Sequence, residues 1–193
     1  MPSIEPATVS THTMAPLIDP STLMGGVPPE DFRSAFRNHA AGVSIVTADG
    51  GDGPVAMTAT SVFSVSATPP LVVFSVSSLS SATPAILRSK SLVIHLLDQS
   101  DVGLARLCST SGVDRFADEA SWDRLATGEP YFVSPRSRLR GDVVTTYEAG
   151  MSRLIVVHVT DSTERGMGEG PASSPLIYHN RTWLSLDTST PLT

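Results

Sequence analysis

Cysteine occurs once in this 193-residue chain, at Cys108, which excludes an intrachain disulfide framework and a cysteine-built zinc site. Charge is scarce as well: 17% of residues are Asp, Glu, Lys or Arg, against about 25% in ordinary domains. The balance is 13 basic to 19 acidic residues, a formal net charge of −6, so no basic excess is available to displace counterions from a nucleic-acid backbone. No stretch approaches the roughly 20 apolar residues of a membrane span. The N-terminus lacks the charged and apolar regions of a signal peptide. The expectation is a soluble, cytoplasmic protein with neither a nucleic-acid nor a membrane partner. Hydroxyls stand in for charge, with 27 Ser and 19 Thr. The 40% hydrophobic content is enough to fill one core, and the length suits one domain.

Residues 1–27 carry Pro2, Pro6, Pro16 and Pro20 among Ser and Thr without a hydrophobic period, and are expected to form a poorly ordered arm or one that lies over a partner subunit. The domain is expected over 28–188, with a tail at 189–193. Its first element is a helix: Pro28-Pro29 precede Glu30 and Asp31, and Phe32, Ala35, Phe36, His39 and Ala40 share one face before Gly42. His39 is expected to interact with the last carbonyls of that helix. Strands follow at 43–48, 55–66 and 71–77, then a short helix from Pro84 capped by Thr83, a strand at 92–97 and a helix at 100–110. The stretch to Pro135 reads as loop, 138–147 and 153–160 as a hairpin, 166–175 as a loop, and 176–178 with 182–186 as closing strands. Six or more strands against few helices predict a mainly β barrel or sandwich with helical caps.

Two stretches are candidates for chemistry. In Met57-Thr58-Ala59-Thr60-Ser61-Val62-Phe63-Ser64-Val65-Ser66, the residues Thr58, Thr60, Ser64 and Ser66 share one parity, and an extended chain would present them on one face. That face would suit a polar ligand read by neutral hydrogen bonds, or simply be a solvated strand face. In 77–84, Ser77, Ser78, Ser80, Ser81 and Thr83 lie between a buried strand and a helix start, where free N–H groups and hydroxyls can hold phosphate without a lysine, or cap the helix. His95 and His158 lie within apolar strands and read as satisfied core residues. His179, next to a turn, is better placed for a ligand, and Cys108 reads as inert core. No metal-ligand cluster, Gly-x-Ser-x-Gly elbow, phosphate-binding Walker loop or Gly-x-Gly-x-x-Gly occurs, so metal catalysis and triad hydrolysis have no support.

The order of these pieces resembles the flavin reductase family of the FMN-binding split barrel. The matching residues are Phe32-Arg33-Ser34-Ala35-Phe36, Ala41–Thr47, Met57–Ser66 with Pro69-Pro70-Leu71-Val72, the 77–81 loop, Asp114-Arg115-Phe116-Ala117, and Pro175–Arg181. The resemblance implies a six-stranded, Greek-key-like barrel that forms a homodimer with FMN or FAD near the subunit interface. By position, Thr58, Ala59, Thr60 and Ser61 would line the flavin ring and ribityl chain, with Ser64 and Val65 beside them. Ser75, Ser80 and Ser81 would meet the phosphate end, and Phe116 and His179 the nicotinamide of NADH or NADPH. The implied activity is NAD(P)H-dependent flavin reduction, with reduced flavin handed to a separate monooxygenase and no catalytic side-chain base. Three positions depart from the family pattern. The usual His of an Asp-His pair is Ser152, a Gly further along is Val157, and the Asn after Thr-Ala is Thr60. A pocket still open beside the flavin would agree with a reductase. One filled by Met151, Arg153 or the arm would instead indicate a divergent flavin- or small-molecule-binding protein. Arg115, Arg136 and Arg153 are the candidates for a dinucleotide 2′-phosphate.

Overall fold

The computed structural model describes residues 23–164 and 174–186. Most of the arm read over 1–27, most of the 166–175 loop and the 189–193 tail lie outside the described residues. Helix α1 (Pro29–Arg37) carries Glu30 and Asp31 in its first turn and Arg37 in its last, matching the helix dipole at both ends. It stops before His39, and none of its residues is buried. Strand β1 (Ala41–Gly42) then leads into β2 (Ser44–Asp49), and the Asp49 carboxylate accepts from the N–H groups of Gly51 and Gly53 to shape the turn into β3 (Pro54–Ala59).

The extended segment expected over 55–66 is two strands. β3 ends at Ala59, and β4 (Phe63–Ala67) begins after the connection Thr60-Ser61-Val62. β5 (Pro70–Ser77), α2 (Thr83–Arg88), β6 (Ser91–Leu96) and α3 (Val102–Ser109) follow as expected. Thr83 is the first residue of α2 rather than its cap. Its hydroxyl donates to the Ser77 carbonyl at 2.7 Å, tying the helix start to the end of β5. Within the stretch read as loop to Pro135, β7 (Trp122–Arg124) and β8 (Pro130–Phe132) form a small hairpin. The long hairpin β9 (Ser137–Ala149) and β10 (Ser152–Glu164) precedes β11 (Leu176–His179) and β12 (Thr182–Ser185).

The main sheet has seven strands, in the order β3-β2-β6-β9-β10-β5-β4, and its pairings are antiparallel. β3 and β4 are consecutive in sequence yet lie at opposite edges of that order, so a three-residue connection draws the two edges together. The Ser61 hydroxyl pins the connection in place, accepting from the Ser75 N–H (3.0 Å) and donating to the Ser75 carbonyl (3.2 Å).

β2 is buried on both faces because each has its own core. Val46 and Ala48 join Phe74, Val76, Ile86, Leu92, Ile94, Ile155 and Val157 within the curl of the sheet. Val43 and Ile45 face a second cluster with Ala105, Cys108 and Phe132, beneath α3 and the β7–β8 hairpin. Thr47 anchors that hairpin by donating to the Pro130 carbonyl at 2.5 Å.

Candidate functional site

Register assembles the hydroxyl-bearing residues. Phe63 pairs with Val73, so the 60–62 connection runs beside Ser75 toward the end of β5. On the other side of β5, Ser152 pairs with Ser77 and Leu154 with Ser75, and the Ser78 N–H donates to the Met151 carbonyl. Thr60, Ser61, Ser75, Ser80 and Ser81 therefore lie toward the Ser77 end of β5, whereas Ser64 pairs with Val72 and Val65 sits in the bulge after it, farther along the same edge. Thr60, Ser64, Val65 and Ser81 are exposed, and Ser61, Ser75 and Ser80 half-buried. The hydroxyls of Thr60, Ser64, Ser80 and Ser81 are free of protein hydrogen bonds among the described residues, so they can turn to a ligand.

Four other candidate residues are placed differently. Thr58 shares its strand face with Ala56, toward the second core, and its hydroxyl donates to the Ala105 carbonyl of α3 at 2.7 Å. Ala59 is buried in the first core. The common face expected for Thr58, Thr60, Ser64 and Ser66 is lost because the chain breaks between β3 and β4. Phe116 packs against the second core, stacked on Phe132 (centroids 5.2 Å apart) with Trp122 edge-on at 5.0 Å. His179 ends β11, half-buried, next to the turn formed by Asn180 and Arg181.

A groove of about 750 Å³ opens along the Thr60–Phe63 connection. Its other walls come from α1 (Phe32, Arg33, Phe36, Arg37), from His39, Ala41 and Gly42, and from Tyr178, Asn180 and Arg181. The Asn180 N–H donates to the Arg37 carbonyl at 2.9 Å, holding the β11–β12 turn against the end of α1. His39 meets the last turn of the helix through its backbone N–H, which donates to the Phe36 carbonyl at 3.1 Å, while its ring packs edge-on to Phe36 at 6.1 Å and lines the groove. The periodicity of α1 marks an apolar face, but sequence cannot show that this face borders a groove rather than the core. Arg181 and Asn180 carry no period at all, and only the hairpin brings them to α1.

The departures at 152 and 157 leave this groove open. Val157 is fully buried in the first core and lies against Gly141 of β9. Ser152 sits beside Ser77, away from the groove walls. Met151 is exposed and Arg153 is paired with Glu148 at 2.5 Å, and neither lines the groove. Arg115 donates to the Thr110 carbonyl at the end of α3, where its charge complements the helix dipole.

The buried ionisable groups belong to the scaffold. His95 donates from Nδ1 to the Ile45 carbonyl (3.2 Å) and accepts at Nε2 from the Phe132 N–H (3.1 Å), an arrangement that needs the neutral ring. Burial pushes its pKa down to about 4. Burial likewise pushes the Cys108 thiol up to about 12, leaving it unreactive. Burial opposes ionisation of Glu129, yet bonds from Ser91, Thr127 and Arg140 outweigh it and hold the carboxyl near 2.

The groove combines aromatic walls, the cationic Arg33, Arg37 and Arg181, the imidazole of His39 and the free Thr60 hydroxyl, a lining whose chemistry suits an aromatic, anionic ligand. The chain belongs to the family described as flavin reductase like domain, which it matches over residues 36–187. It is 40% identical over 180 residues to a protein of Rhodococcus qingshengii named NADH:FMN oxidoreductase, covering 92% of this chain and 93% of that one. Among solved structures, a flavin reductase domain protein from Arthrobacter sp. FB24 superposes with a TM-score of 0.76 at 29% identity, over 85% of this chain and 97% of that one. BorF, the flavin reductase component of a bacterial two-component tryptophan halogenase, superposes with a TM-score of 0.72 at 26% identity, over 82% and 98%. Among the described residues, no helix is long and apolar enough to cross a membrane.

Proposed function

We infer that this chain is an NAD(P)H-dependent flavin reductase, with FMN or FAD as acceptor, that supplies reduced flavin to a separate monooxygenase. What carries the reading is its 40% identity, over 92% of its length, to a protein named NADH:FMN oxidoreductase. The open groove and the free hydroxyls beside it agree with that activity. A separate flavin-consuming partner is supported by the likeness to BorF, itself the reductase component of a two-component halogenase. The fold reads as the split barrel of this family, its seven-stranded sheet curled until its edges meet at the 60–62 connection. The lone buried cysteine suits a cytoplasmic enzyme.

A bound flavin would supply the hydride-accepting ring that passes electrons from the dinucleotide onward. The protein contributes position. Thr60, Ser61, Ser64 and Val65 would hold the ring and ribityl chain, while Ser75, Ser80 and Ser81 receive the phosphate end. Thr58 and Ala59 act through the scaffold, one fastened to α3 and the other packed in the core. His179 would back the nicotinamide from the end of β11, while Phe116, stacked on Phe132, acts through the second core. Hydride transfer between two bound rings requires proximity and orientation but no side-chain base. The exposed aromatic face of α1 and the exposed Phe63 and Val65 of β4 would be covered in a homodimer, with the groove along its seam.

The test is NADH and NADPH oxidation followed at 340 nm with purified protein, with and without FMN or FAD. Flavin-dependent turnover well above the uncatalysed rate is expected, and the same assay gives both preferences. Flavin binding without turnover would overturn the reductase reading.

A further inference from the structure

We propose that Arg33, Arg37 and Arg181 form an anion subsite holding the pyrophosphate of the nicotinamide dinucleotide; this deepens the reductase reading and rests on it. All three line the groove, and none is paired with an acidic residue among the described residues. Away from the groove, Arg88, Arg124, Arg140 and Arg153 are neutralised by carboxylate partners. Arg33 and Arg37 lie one turn apart on α1, so they face the same side. Asn180 and Arg181 occupy the two-residue turn between β11 and β12, both with positive φ (46° and 61°). Such a turn favours Asn-Gly, and a long side chain at its second position is held in the disfavoured left-handed region. Placing Arg there swings a guanidinium to the groove, and the Asn180–Arg37 hydrogen bond fixes the turn against α1. Guanidinium groups bind phosphate oxygens in pairs, and three of them match a doubly charged pyrophosphate. The flavin phosphate has its own candidate loop in Ser80 and Ser81, neither of which lines this groove.

Arg181→Gly separates a binding role from a structural one, because glycine is the comfortable residue at that φ. The variant is expected to keep or raise its Tm while KM for NADH rises roughly tenfold, the loss of one charge-assisted contact. The value of kcat and KM for FMN should stay within about twofold, and Arg37→Gln should behave alike. Isothermal titration with NAD+ should weaken by the same factor, and inorganic pyrophosphate should compete with NADH but not with FMN. A rise confined to KM for FMN, unchanged values for both substrates, or a change of mass by light scattering would overturn the subsite. Weakened NAD+ binding in a protein without flavin-dependent turnover would uphold the subsite and sink the reductase reading. Turnover indifferent to both variants would do the reverse.

Discussion

Gly141 and Val157 show how one residue's environment is set by another strand. A Cβ on Gly141 would collide with the Val157 side chain and lie 2.6 Å from the His158 carbonyl oxygen. Val157 fits here because its methyl groups occupy the space above Gly141, which has no Cβ. Register shifts on both sides of Val157 in the β9–β10 ladder accommodate the contact. Gly141→Ala is therefore expected to destabilise the fold by about 1–3 kcal/mol through overpacking, read as a lower urea midpoint at unchanged slope. Val157→Ala in the same chain should recover part of the loss. The rigid His158 carbonyl limits the recovery, and strictly additive effects would sink this explanation.

At the scale of elements, α1 is the clearest case of a pattern whose partner lies elsewhere. Its apolar spacing was legible, and the helix forms, but Phe32 and Phe36 remain 54% and 60% exposed, their rings tilted against each other with centroids 4.7 Å apart. Periodicity reports that a helix has an apolar side and is silent on what covers it. The paired variant Phe32→Ser with Phe36→Ser should leave Tm within a few degrees, since neither ring belongs to a core. It should shift the mass measured by light scattering from dimer to monomer; a monomeric parent protein would refute the homodimer. The two-strand split of 55–66 was not legible, because these residues pass through β3, the Thr60-Ser61-Val62 connection and β4 as one unbroken run of apolar and hydroxyl residues without Gly or Pro to mark a break. Only their opposite edges in the sheet distinguish them.

For the whole molecule, the buried ionisable groups set the acid limit. The unfolded chain binds a proton on His95 near pH 6.5, whereas the folded ring resists until about 4. Between those values the unfolded state holds more protons, so stability falls as pH falls, by about 3 kcal/mol at most. Glu129 acts in the same direction at lower pH. Its carboxylate contributes stability above its ordinary value of 4.5, which is lost as pH approaches about 2. Urea midpoints measured at pH 7, 5.5 and 4.5 should fall monotonically. A flat profile across that range would mean that His95 is protonated in the folded state.

Local pattern alone determined the helices at α1, α2 and α3, most strand positions, the core roles of His95 and Cys108, and the family. Each of these depends on side-chain period, turn residues or order along the chain. Tertiary structure decided which hydroxyls are available: Thr58 is consumed by α3 and Ser61 by Ser75, while Thr60, Ser64, Ser80 and Ser81 stay free. It also brought Arg181 to Arg33 and Arg37 across more than 140 residues of chain, and left Arg115, Arg136 and Arg153 outside the groove. The reason is physical. Periodicity encodes the face on which a side chain lies, whereas the partner that face meets depends on sheet order and register, which involve contacts distant in sequence.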